Sequence, residues 1–276
     1  MAFKNVAIMI VTFNSQKVLS KAMKALSKQT YPIQKIILVD TGSEDPNYLN
    51  DYKDAHILFA QKNGGFCLGN NVGYHAVPPD SDYVLLLNPD AFLFEDFIEV
   101  AVKRMEQDSA LGAVTGVTYG YDLVGDVPNG RYDTTGIFQT WYGKWFDRGQ
   151  GELITKQQFI EEERVQAICG AVFFVRKKAL DTVLLQGKNI FNPRFYMYKE
   201  DIDLSLRLSK QHWKLFFVPS LRAYHCRGWQ GKRSNIPRRF REISAKNELS
   251  INFSRKNPLP ILYSVLKWTV VKLLNV

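Results

Sequence analysis

Cysteine is scarce in this sequence, which has three, Cys67, Cys169 and Cys226, among 276 residues. The three lie far apart and none belongs to a CxxC pair, which argues against a disulfide framework and against a zinc cluster. Because no histidine is paired with Cys67 or Cys169, we interpret both as small core residues rather than nucleophiles. This cysteine usage is typical of a protein in a reducing cytosol.

The sequence also shows no leader-like pattern in its opening letters and no long uninterrupted apolar run. Its opening letters, MAFKNVAIMIVTFNS, have no cationic segment ahead of an apolar one and pass directly into a stretch typical of a buried strand. The apolar stretch at 259–276 contains Pro260, Lys267 and Lys272, and it is too short and too charged for a membrane span. We therefore expect a cytoplasmic protein.

Acidic residues are rare toward the C-terminus. From residue 222 to 276 there are twelve Lys or Arg against two acids, a local balance of +10, so residues 1–221 together carry about −1 of the formal net charge of +9. Such a segment predicts an anionic partner: phosphate groups, nucleic acid or an acidic membrane surface. We interpret residues 227–276 as a basic, amphipathic extension that lies along a membrane, at the inner face of the cell membrane. The alternative is a helix packed on the domain.

The composition is that of a compact globular protein, with 46% hydrophobic and 23% charged residues. Stretches typical of strands alternate with stretches of helical periodicity. This alternation predicts an α/β protein with a mixed, mostly parallel sheet flanked by helices. The strand-like stretches of the N-terminal half are 6–13, 35–40, 56–60 and 83–90, and its helix-like stretches are 17–29 and 94–108.

Polar or flexible residues follow each of the first four predicted strands: Asn14, Asp40, residues 63–65 and residues 88–90. In an open α/β sheet, ligands bind in the crevice at the carboxyl ends of the strands. The N-terminal half therefore predicts a nucleotide-binding site at this edge.

Residues 120–165 have no clear period and predict a long loop or lid. The region is rich in aromatic residues, with Trp141, Tyr142, Trp145 and Phe146 close together. These rings are suited to stacking on a sugar, or they form a local core.

Two groups of acids are candidates for chemistry. Asp90, in Asn88-Pro89-Asp90, is either a helix cap after a turn or a ligand for Mg²⁺, which one or two carboxylates and substrate phosphates commonly hold. Glu200, Asp201 and Asp203 either complement a helix dipole or include a general base. Leu204 and Leu208 share a helical face with Asp201, which predicts a raised proton affinity for its carboxylate and suits a base.

Together these motifs resemble the family 2 glycosyltransferases with the GT-A fold, and within them the bacterial dTDP-rhamnosyltransferases. The resemblance covers about residues 5–230 and keeps the family's order. It implies a catalytic domain at 1–226, with a nucleotide-sugar half at about 1–118 and an acceptor half at about 119–226, before the extension at 227–276. The matching stretches are VTFN at 11–14, VDTGS at 39–43, NGGFCLGNNVGY at 63–74, LLNPD at 86–90, CGAVFFVRK at 169–177, YKEDIDLSLRL at 198–208 and AYHCRG at 223–228.

The resemblance also implies roles for individual residues. Asp201 would be the catalytic base with Glu200 in support, and Asp90 with His225 would hold Mg²⁺ or Mn²⁺; the alternative for His225 is a structural role at a strand end. Two departures from the family pattern are Thr41, where asparagine is common, and a single acid in place of Asp-x-Asp. The residues implied for donor binding are Thr12, Asn14, Asp40, Gly65, Asn70, Asn88 and Arg227. Those implied for acceptor binding are Gly170, Ala171 and Trp141.

The function implied is inverting transfer of a sugar, L-rhamnose from dTDP-L-rhamnose, to a hydroxyl of a lipid-linked glycan in cell-surface polysaccharide synthesis. The same machinery with a UDP-hexose or UDP-galactofuranose donor is the first alternative. A nucleic-acid-binding protein is disfavoured, because the basic segment lacks periodic aromatic residues and a recognised binding motif. A non-catalytic carbohydrate-binding relative is disfavoured by the intact set of Asp40, Asp90 and Asp201.

Overall fold

The structure is a computed structural model that describes residues 3–61, 64–154, 158–227 and 236–274. Within these residues, helices pack on both faces of a central β-sheet, which confirms the predicted α/β class. The strands in chain order are β1 (Val6–Thr12), β2 (Lys35–Asp40), β3 (His56–Phe59), β4 (Tyr83–Leu87), β5 (Ala91–Leu93), β6 (Leu111–Asp122), β7 (Val127–Thr134), β8 (Ile137–Gln139), β9 (Trp145–Asp147), β10 (Glu163–Arg164), β11 (Val172–Arg176) and β12 (Lys214–His225). The helices are α1 (Gln16–Ser27), α2 (Gly65–Tyr74), α3 (Phe97–Gln107), α4 (Lys177–Asp181), α5 (Glu200–Lys210), α6 (Arg238–Ser254) and α7 (Pro258–Leu274), with a 3₁₀ helix at Pro46–Asp51.

The main sheet has the order β10-β12-β6-β11-β4-β1-β2-β3, with β5 beside β12 and β7 beside β6. Strands β3, β2, β1 and β4 are parallel, as are β6 and β12, whereas β11 lies antiparallel between β4 and β6. Because β11 runs in the opposite direction, the residues before it lie at the carboxyl end of β4. The backbone N–H of Asn88 donates to the carbonyl of Ala171 there, at 2.9 Å.

The centre of the sheet is buried on both faces because its parallel strands are continuously apolar, as in β1 and β4, where every residue is buried. Alternate residues of β1 point into two different hydrophobic cores, Met9 into one and Ile8 into the other. The first core includes residues of α2 and α5, and the second includes residues of α1 and α3. Helices α2 and α5 therefore pack on one face of the sheet, and helices α1 and α3 pack on the other.

The prediction of a long loop or lid at residues 120–165 is wrong where strands occur within this region. The end of β6 and strands β7, β8 and β9 fall within it. Strands of three residues are too short to show a period, and turns at glycines with positive φ, Gly136 at 110° and Gly143 at 107°, separate them.

The C-terminal helices pack on the rest of the chain, α6 on the domain and α7 on α6. Ile251 of α6 is 2% exposed and belongs to the first core, while Asn252 donates to Ser264 Oγ of α7 at 2.6 Å. Much of the basic stretch ahead of α6, residues 228–235, lies outside the described residues, and the division at residue 226 stays a prediction. Among the described helices, none is both long and apolar enough to cross a bilayer.

Candidate active site

A cleft of about 810 Å³ opens at the carboxyl ends of β1 and β4, the edge that the strand-end residues indicate. Most of its lining residues fall into two groups, the strand wall and the helix wall. The strand wall consists of residues 11–15, Val18, Thr41 and residues 88–90. The helix wall consists of Gly65, Phe66, Tyr196, Met197 and Phe240. The turn between β6 and β7, residues 121–124, lines the cleft as well, together with Cys226 and Arg227.

Asp40 organises the turn behind the strand wall. Its carboxylate accepts hydrogen bonds from the backbone N–H groups of Gly42 and Ser43, both at 2.8 Å, from Ser43 Oγ at 2.5 Å and from Thr12 Oγ1 at 3.2 Å. The residue is 1% exposed and does not line the cleft. Asp40 therefore shapes the surface at Thr12 and Thr41, which do line it.

Phe13 and Asn14 continue the strand wall beyond β1. Asn14 has a φ of 49°, and its side-chain oxygen accepts from the backbone N–H of Glu44 at 2.9 Å, which ties the end of β1 to the turn after β2. Phe13 is 52% exposed, although it is a large apolar residue, and it lines the cleft. An aromatic face of this kind is suited to stacking on a planar ring. Phe13 belongs to the VTFN motif at 11–14, but nothing in the sequence predicts that its ring is exposed.

Asp90 and His225 meet at the carboxyl edge of the sheet. Residue 225 ends β12 opposite Ala91 of β5, and this pairing brings the imidazole beside the residue before β5. Asp90 Oδ1 lies 3.3 Å from His225 Nε2, and Asn88 Nδ2 lies 3.5 Å from the same nitrogen. Three residues predicted to serve the donor and the metal are therefore in one place.

Two carboxylates that the sequence analysis did not identify extend this cluster. His225 Nδ1 donates to Asp133 Oδ2 at 2.9 Å, and Arg227 donates from Nε to Asp133 Oδ1 at 2.6 Å and from Nη1 to Asp147 Oδ2 at 3.3 Å. Asp133 belongs to β7 and Asp147 to β9, in the region predicted to be irregular. No local pattern marks either residue.

Electrostatics fixes the charges of the cluster. Burial alone would raise the pKa of Asp133, but His225 and Arg227 outweigh it and lower that pKa to about 2. Burial also opposes charge on His225, yet Asp90 and Asp133 raise its pKa to about 10. Asp147 and Asp133 likewise outweigh burial and raise the pKa of Arg227. At neutral pH the metal-free protein thus holds a chain of alternating charges.

The side chains at this place fit a divalent ion only as a partial site. In the part of the chain that the structure describes, no three His, Cys, Asp or Glu residues form a group able to hold a metal. However, Asn88 Oδ1 is buried without a hydrogen-bond partner there, and Asp133 holds Nδ1 of His225 as carboxylates hold metal-binding imidazoles. Carboxylate, amide and imidazole groups suit Mg²⁺ or Mn²⁺ when phosphates and waters complete the coordination.

Asp201 stands in the first turn of α5, next to the start of β11. Its Oδ2 accepts from the backbone N–H of Gly170 at 3.0 Å, and its Oδ1 accepts from that of Ile202 at 2.8 Å. Burial raises the pKa of Asp201, in agreement with the prediction, and the N–H of Gly170 opposes that rise in part. Asp201 and Gly170 are not among the lining residues, but Ala171 joins them to Asn88 of the strand wall.

Glu200 is 7% exposed, and its Oε2 has no hydrogen-bond partner among the described residues. Burial and the neighbouring charge of Asp201 both raise the pKa of Glu200. A proton on Glu200 removes one negative charge next to Asp201. This arrangement is compatible with a supporting role, which stays a prediction.

The helix wall depends on a close approach at Gly65. This residue has a φ of 77°, and a Cβ atom on it would lie 2.6 Å from the carbonyl oxygen of Tyr196, so only glycine fits. Asn70, also predicted to bind the donor, is 2% exposed and donates to the carbonyl of Phe66 within α2. It does not line the cleft, and its predicted role is not supported by this geometry.

Trp141 lies away from the lining residues and is 80% exposed. Its ring contacts Tyr142, which in turn contacts Tyr263 of α7. Trp145, by contrast, is 5% exposed and belongs to the first core, so the aromatic cluster contributes to a local core as well as to the surface. Acceptor binding by Trp141 stays a prediction.

Comparison with solved structures identifies the fold. The crystal structure of GalNAc-T7 with UDP, GalNAc and Mn²⁺ superposes with a TM-score of 0.68 at 16% identity, over 90% of this chain and 47% of that one, so this chain spans about half of its length. The mannosyltransferase PcManGT from Pyrobaculum calidifontis, in complex with GDP-Man and Mn²⁺, gives a TM-score of 0.59 at 13% identity, over 100% of this chain and 72% of that one. These likenesses confirm the predicted GT-A fold.

Curated relatives with similar sequences include rhamnosyltransferases. The N-acetylglucosaminyl-diphospho-decaprenol L-rhamnosyltransferase of Mycobacterium tuberculosis is 26% identical over 239 residues, 79% of this chain and 75% of that protein. Rhamnosyltransferase WbbL of Escherichia coli K12 is 28% identical over 205 residues, 69% of this chain and 75% of that protein. The profile described as Glycosyl transferase family 2 matches residues 7–184. The chain therefore belongs to glycosyl transferase family 2.

Proposed function

We propose that this glycosyltransferase moves L-rhamnose from dTDP-L-rhamnose to a hydroxyl of a lipid-linked glycan, with inversion at the anomeric carbon. The observation that carries the proposal is the convergence of Asn88, Asp90 and His225 at one edge of the cleft, with Asp201 joined to that edge through Ala171. The names of the relatives from M. tuberculosis and E. coli support rhamnose as the sugar.

In this proposal the strand wall binds the nucleotide. Phe13 offers an exposed ring to the base, and Asp40 keeps the turn at Thr41 and Ser43 in place. Asp90, His225 and the side-chain oxygen of Asn88 would hold a divalent ion next to the diphosphate. When bound, such an ion neutralises charge that develops on the leaving group. The raised pKa of His225 means that a proton would compete with the ion for this imidazole.

Asp201 acts as the general base in this proposal. Its raised pKa makes the carboxylate a better proton acceptor than an exposed aspartate, and Gly170 holds one of its oxygens in place. Attack by the acceptor oxygen from the side opposite the diphosphate inverts configuration. The geometry needed is a base and a leaving group on opposite sides of the sugar.

A donor screen tests the proposal. The purified protein is incubated with dTDP-L-rhamnose, UDP-glucose, UDP-galactofuranose or GDP-mannose, with Mn²⁺ or Mg²⁺ and an N-acetylglucosaminyl diphospholipid, and products are read by mass spectrometry. Transfer of deoxyhexose from dTDP-L-rhamnose, lost in Asp90→Ala, is the expected result. Transfer from a UDP-sugar alone would establish the alternative donor class, and no turnover of any nucleotide sugar would contradict the proposed reaction.

We further propose that α7 lies on an anionic membrane surface at the inner face of the cell membrane. One side of α7 packs on α6, with Ser264 at 0% and Val271 at 2% exposed. The other side leaves large apolar residues in solvent at helical spacing: Leu259, Leu262, Val265, Leu266, Val270 and Leu273. Residues 222–276, which include α7, carry a local charge of +10. An exposed apolar stripe within such a basic segment is typical of a helix that lies in the headgroup region of a membrane. A lipid-linked acceptor would be reached from that surface.

A further inference from the structure

Helix α6 contacts the segment that leads into the proposed base. Tyr196 and Met197 of this segment line the cleft, and Glu200 and Asp201 follow it directly. The ring of Phe240, in the first turn of α6, packs edge-on against Tyr198 with centroids 6.2 Å apart. The position of Asp201 therefore depends on a segment that α6 covers.

This segment has an unfavourable backbone. Tyr198 and Lys199 are consecutive non-glycine residues with φ values of 69° and 70°, in the left-handed region. Side chains with a Cβ atom rarely adopt this region, and such conformations persist only where the surroundings enforce them. Lys199 is also the N-cap position of α5 and makes no side-chain capping hydrogen bond. The side chain at the N-cap thus does not stabilise the turn.

Asn247 of α6 supplies an interaction that holds the turn from outside. Its side-chain Nδ2 donates to the carbonyl of Met197 at 3.1 Å and to that of Tyr198 at 2.9 Å. Asn247 is 5% exposed, so these hydrogen bonds form away from competing water. The neighbouring Glu248, at 0% exposed, lies 4.0 Å from Lys199 Nζ and accepts from Lys267 Nζ of α7 at 2.5 Å.

We propose that Asn247 is a positioning residue for the transfer reaction: its amide holds carbonyls 197 and 198 and thereby sets the place of the Asp201 carboxylate. It touches neither substrate nor reacting atoms. The inference rests on the proposed role of Asp201. It gives the C-terminal part of the chain a function in catalysis that is separate from membrane contact.

The test compares Asn247→Asp with a matched control on the same helix, Asn252→Asp. Asn247→Asp keeps the shape and removes both donated hydrogen bonds. Asn252 is also buried, at 0% exposed, but it donates to Pro260 and Ser264 and faces α7. Both variants replace a buried side-chain amide of α6 by a carboxyl group, but only Asn247→Asp removes hydrogen bonds to the turn before α5.

The measurements are kcat and donor KM for rhamnosyl transfer to an N-acetylglucosaminyl diphospholipid, below the melting temperature of both variants. We expect kcat of Asn247→Asp to fall roughly tenfold or more, because small displacements of a catalytic group are costly, with donor KM within about twofold of wild type. Asn252→Asp should keep kcat within about twofold of wild type, even if its melting temperature falls as much as that of Asn247→Asp. Asn247→Ser, which keeps one donor, should lie between wild type and Asn247→Asp.

A kcat of Asn247→Asp within twofold of wild type would overturn the inference, and so would an equal loss in both aspartate variants. A rise in donor KM that matches the fall in kcat would overturn it as well. If Asn247→Asp does not fold, Asn247→Ser decides by the same criteria. Asp201→Asn is assayed in parallel: full activity there refutes the proposed base itself, whereas an inactive Asp201→Asn beside an active Asn247→Asp refutes only the positioning role.

Discussion

The two walls of the cleft are assembled in different ways. The strand wall consists mainly of residues at or just after the ends of β1, β2 and β4, and its shape is set by short-range contacts such as those of Asp40 with Gly42 and Ser43. The helix wall and the charged cluster join distant parts of the chain. Asn247 holds a carbonyl 50 residues away, and His225 pairs with a carboxylate 92 residues away.

This difference suggests that the two walls have different roles in the reaction. A wall built from strand ends is rigid because the sheet is buried on both faces, and it suits a constant ligand such as a nucleotide diphosphate. A wall built from remote helices and hairpins can change without disturbing the sheet, and it suits the part of the reaction in which acceptors differ. Substitutions in the strand wall should therefore alter donor binding, and those near α5 should alter turnover.

The largest effect is expected from Asp201→Asn. Loss of the base should lower kcat about 10³-fold while the dissociation constant for the donor changes little. Calorimetry with dTDP-L-rhamnose and a transfer assay measure the two quantities separately. Asp203→Asn is the control, because Asp203 stands in the same helical turn and pairs with Arg207 at 2.9 Å. If a weaker donor affinity accounted for the whole loss of activity, Asp201 would serve donor binding, as the strand wall does, and would not be the base.

The second prediction concerns membrane contact through α7, which lies outside both walls. The double substitution Leu262→Asp with Leu266→Asp should lower the partition onto anionic liposomes about 10²-fold, since two exposed leucines no longer enter the apolar region. Flotation with phosphatidylglycerol-containing vesicles measures it. Phe59→Asp is the control, because Phe59 is an apolar residue 67% exposed on β3, opposite Asp40 and away from α7. Equal flotation of wild type and the double variant would refute membrane contact through α7.

A smaller effect is expected from Asp40→Asn. The amide cannot accept all the hydrogen bonds that the carboxylate accepts from residues 42 and 43, so the turn loosens and donor KM should rise about tenfold, with kcat largely kept. Steady-state kinetics with varied donor gives both constants. Asp45→Asn is a control in the same turn region. A fall in kcat at unchanged donor KM would contradict the division between the walls.

The smallest effect is a pH dependence of stability. The raised pKa of His225, about 10, means that its contribution is complete below about pH 6.5 and is lost as pH rises toward 10. The lowered pKa of Asp133, about 2, means that its contribution is complete above about pH 4 and is lost as pH falls toward 2. Between pH 7 and 10, with EDTA present, the melting temperature of wild type should fall by roughly 5 °C more than that of His225→Gln. Parallel curves would show that the pair does not stabilise the fold.

The strand wall was largely predictable from the sequence. Apolar stretches that stop at Asn14, Asp40 or Asn88 indicate buried parallel strands, and parallel strands bring those residues to one edge. The α/β class, the sheet type and the raised pKa of Asp201 follow from the same kind of local pattern. His225 was placed correctly at the end of a strand, although its pairing with Asp133 was not foreseen.

The rest was not predictable, for physical reasons. Asp147 lies on a strand of three residues, and Asp133 lies on a strand whose burial does not alternate, since its first five residues are exposed and its last three are buried. Nothing in their neighbours indicates that a histidine and an arginine lie opposite. Asn247 lies on a helix whose buried residues include several polar ones, so the sequence does not show which side of the helix is buried. Phe13 was visible in the VTFN motif, but its exposure depends on residues far along the chain. Long-range pairing carries no local signal.

A crystal structure of Asp201→Asn with dTDP-L-rhamnose and Mn²⁺ is the most direct test of the claim that one cleft serves both donor and base. The account predicts a diphosphate at the strand wall within reach of Asp90 and His225. It also predicts an anomeric carbon that faces the side chain at position 201 from the side opposite the diphosphate. A donor bound away from the strand wall, or an anomeric carbon turned away from position 201, would contradict it.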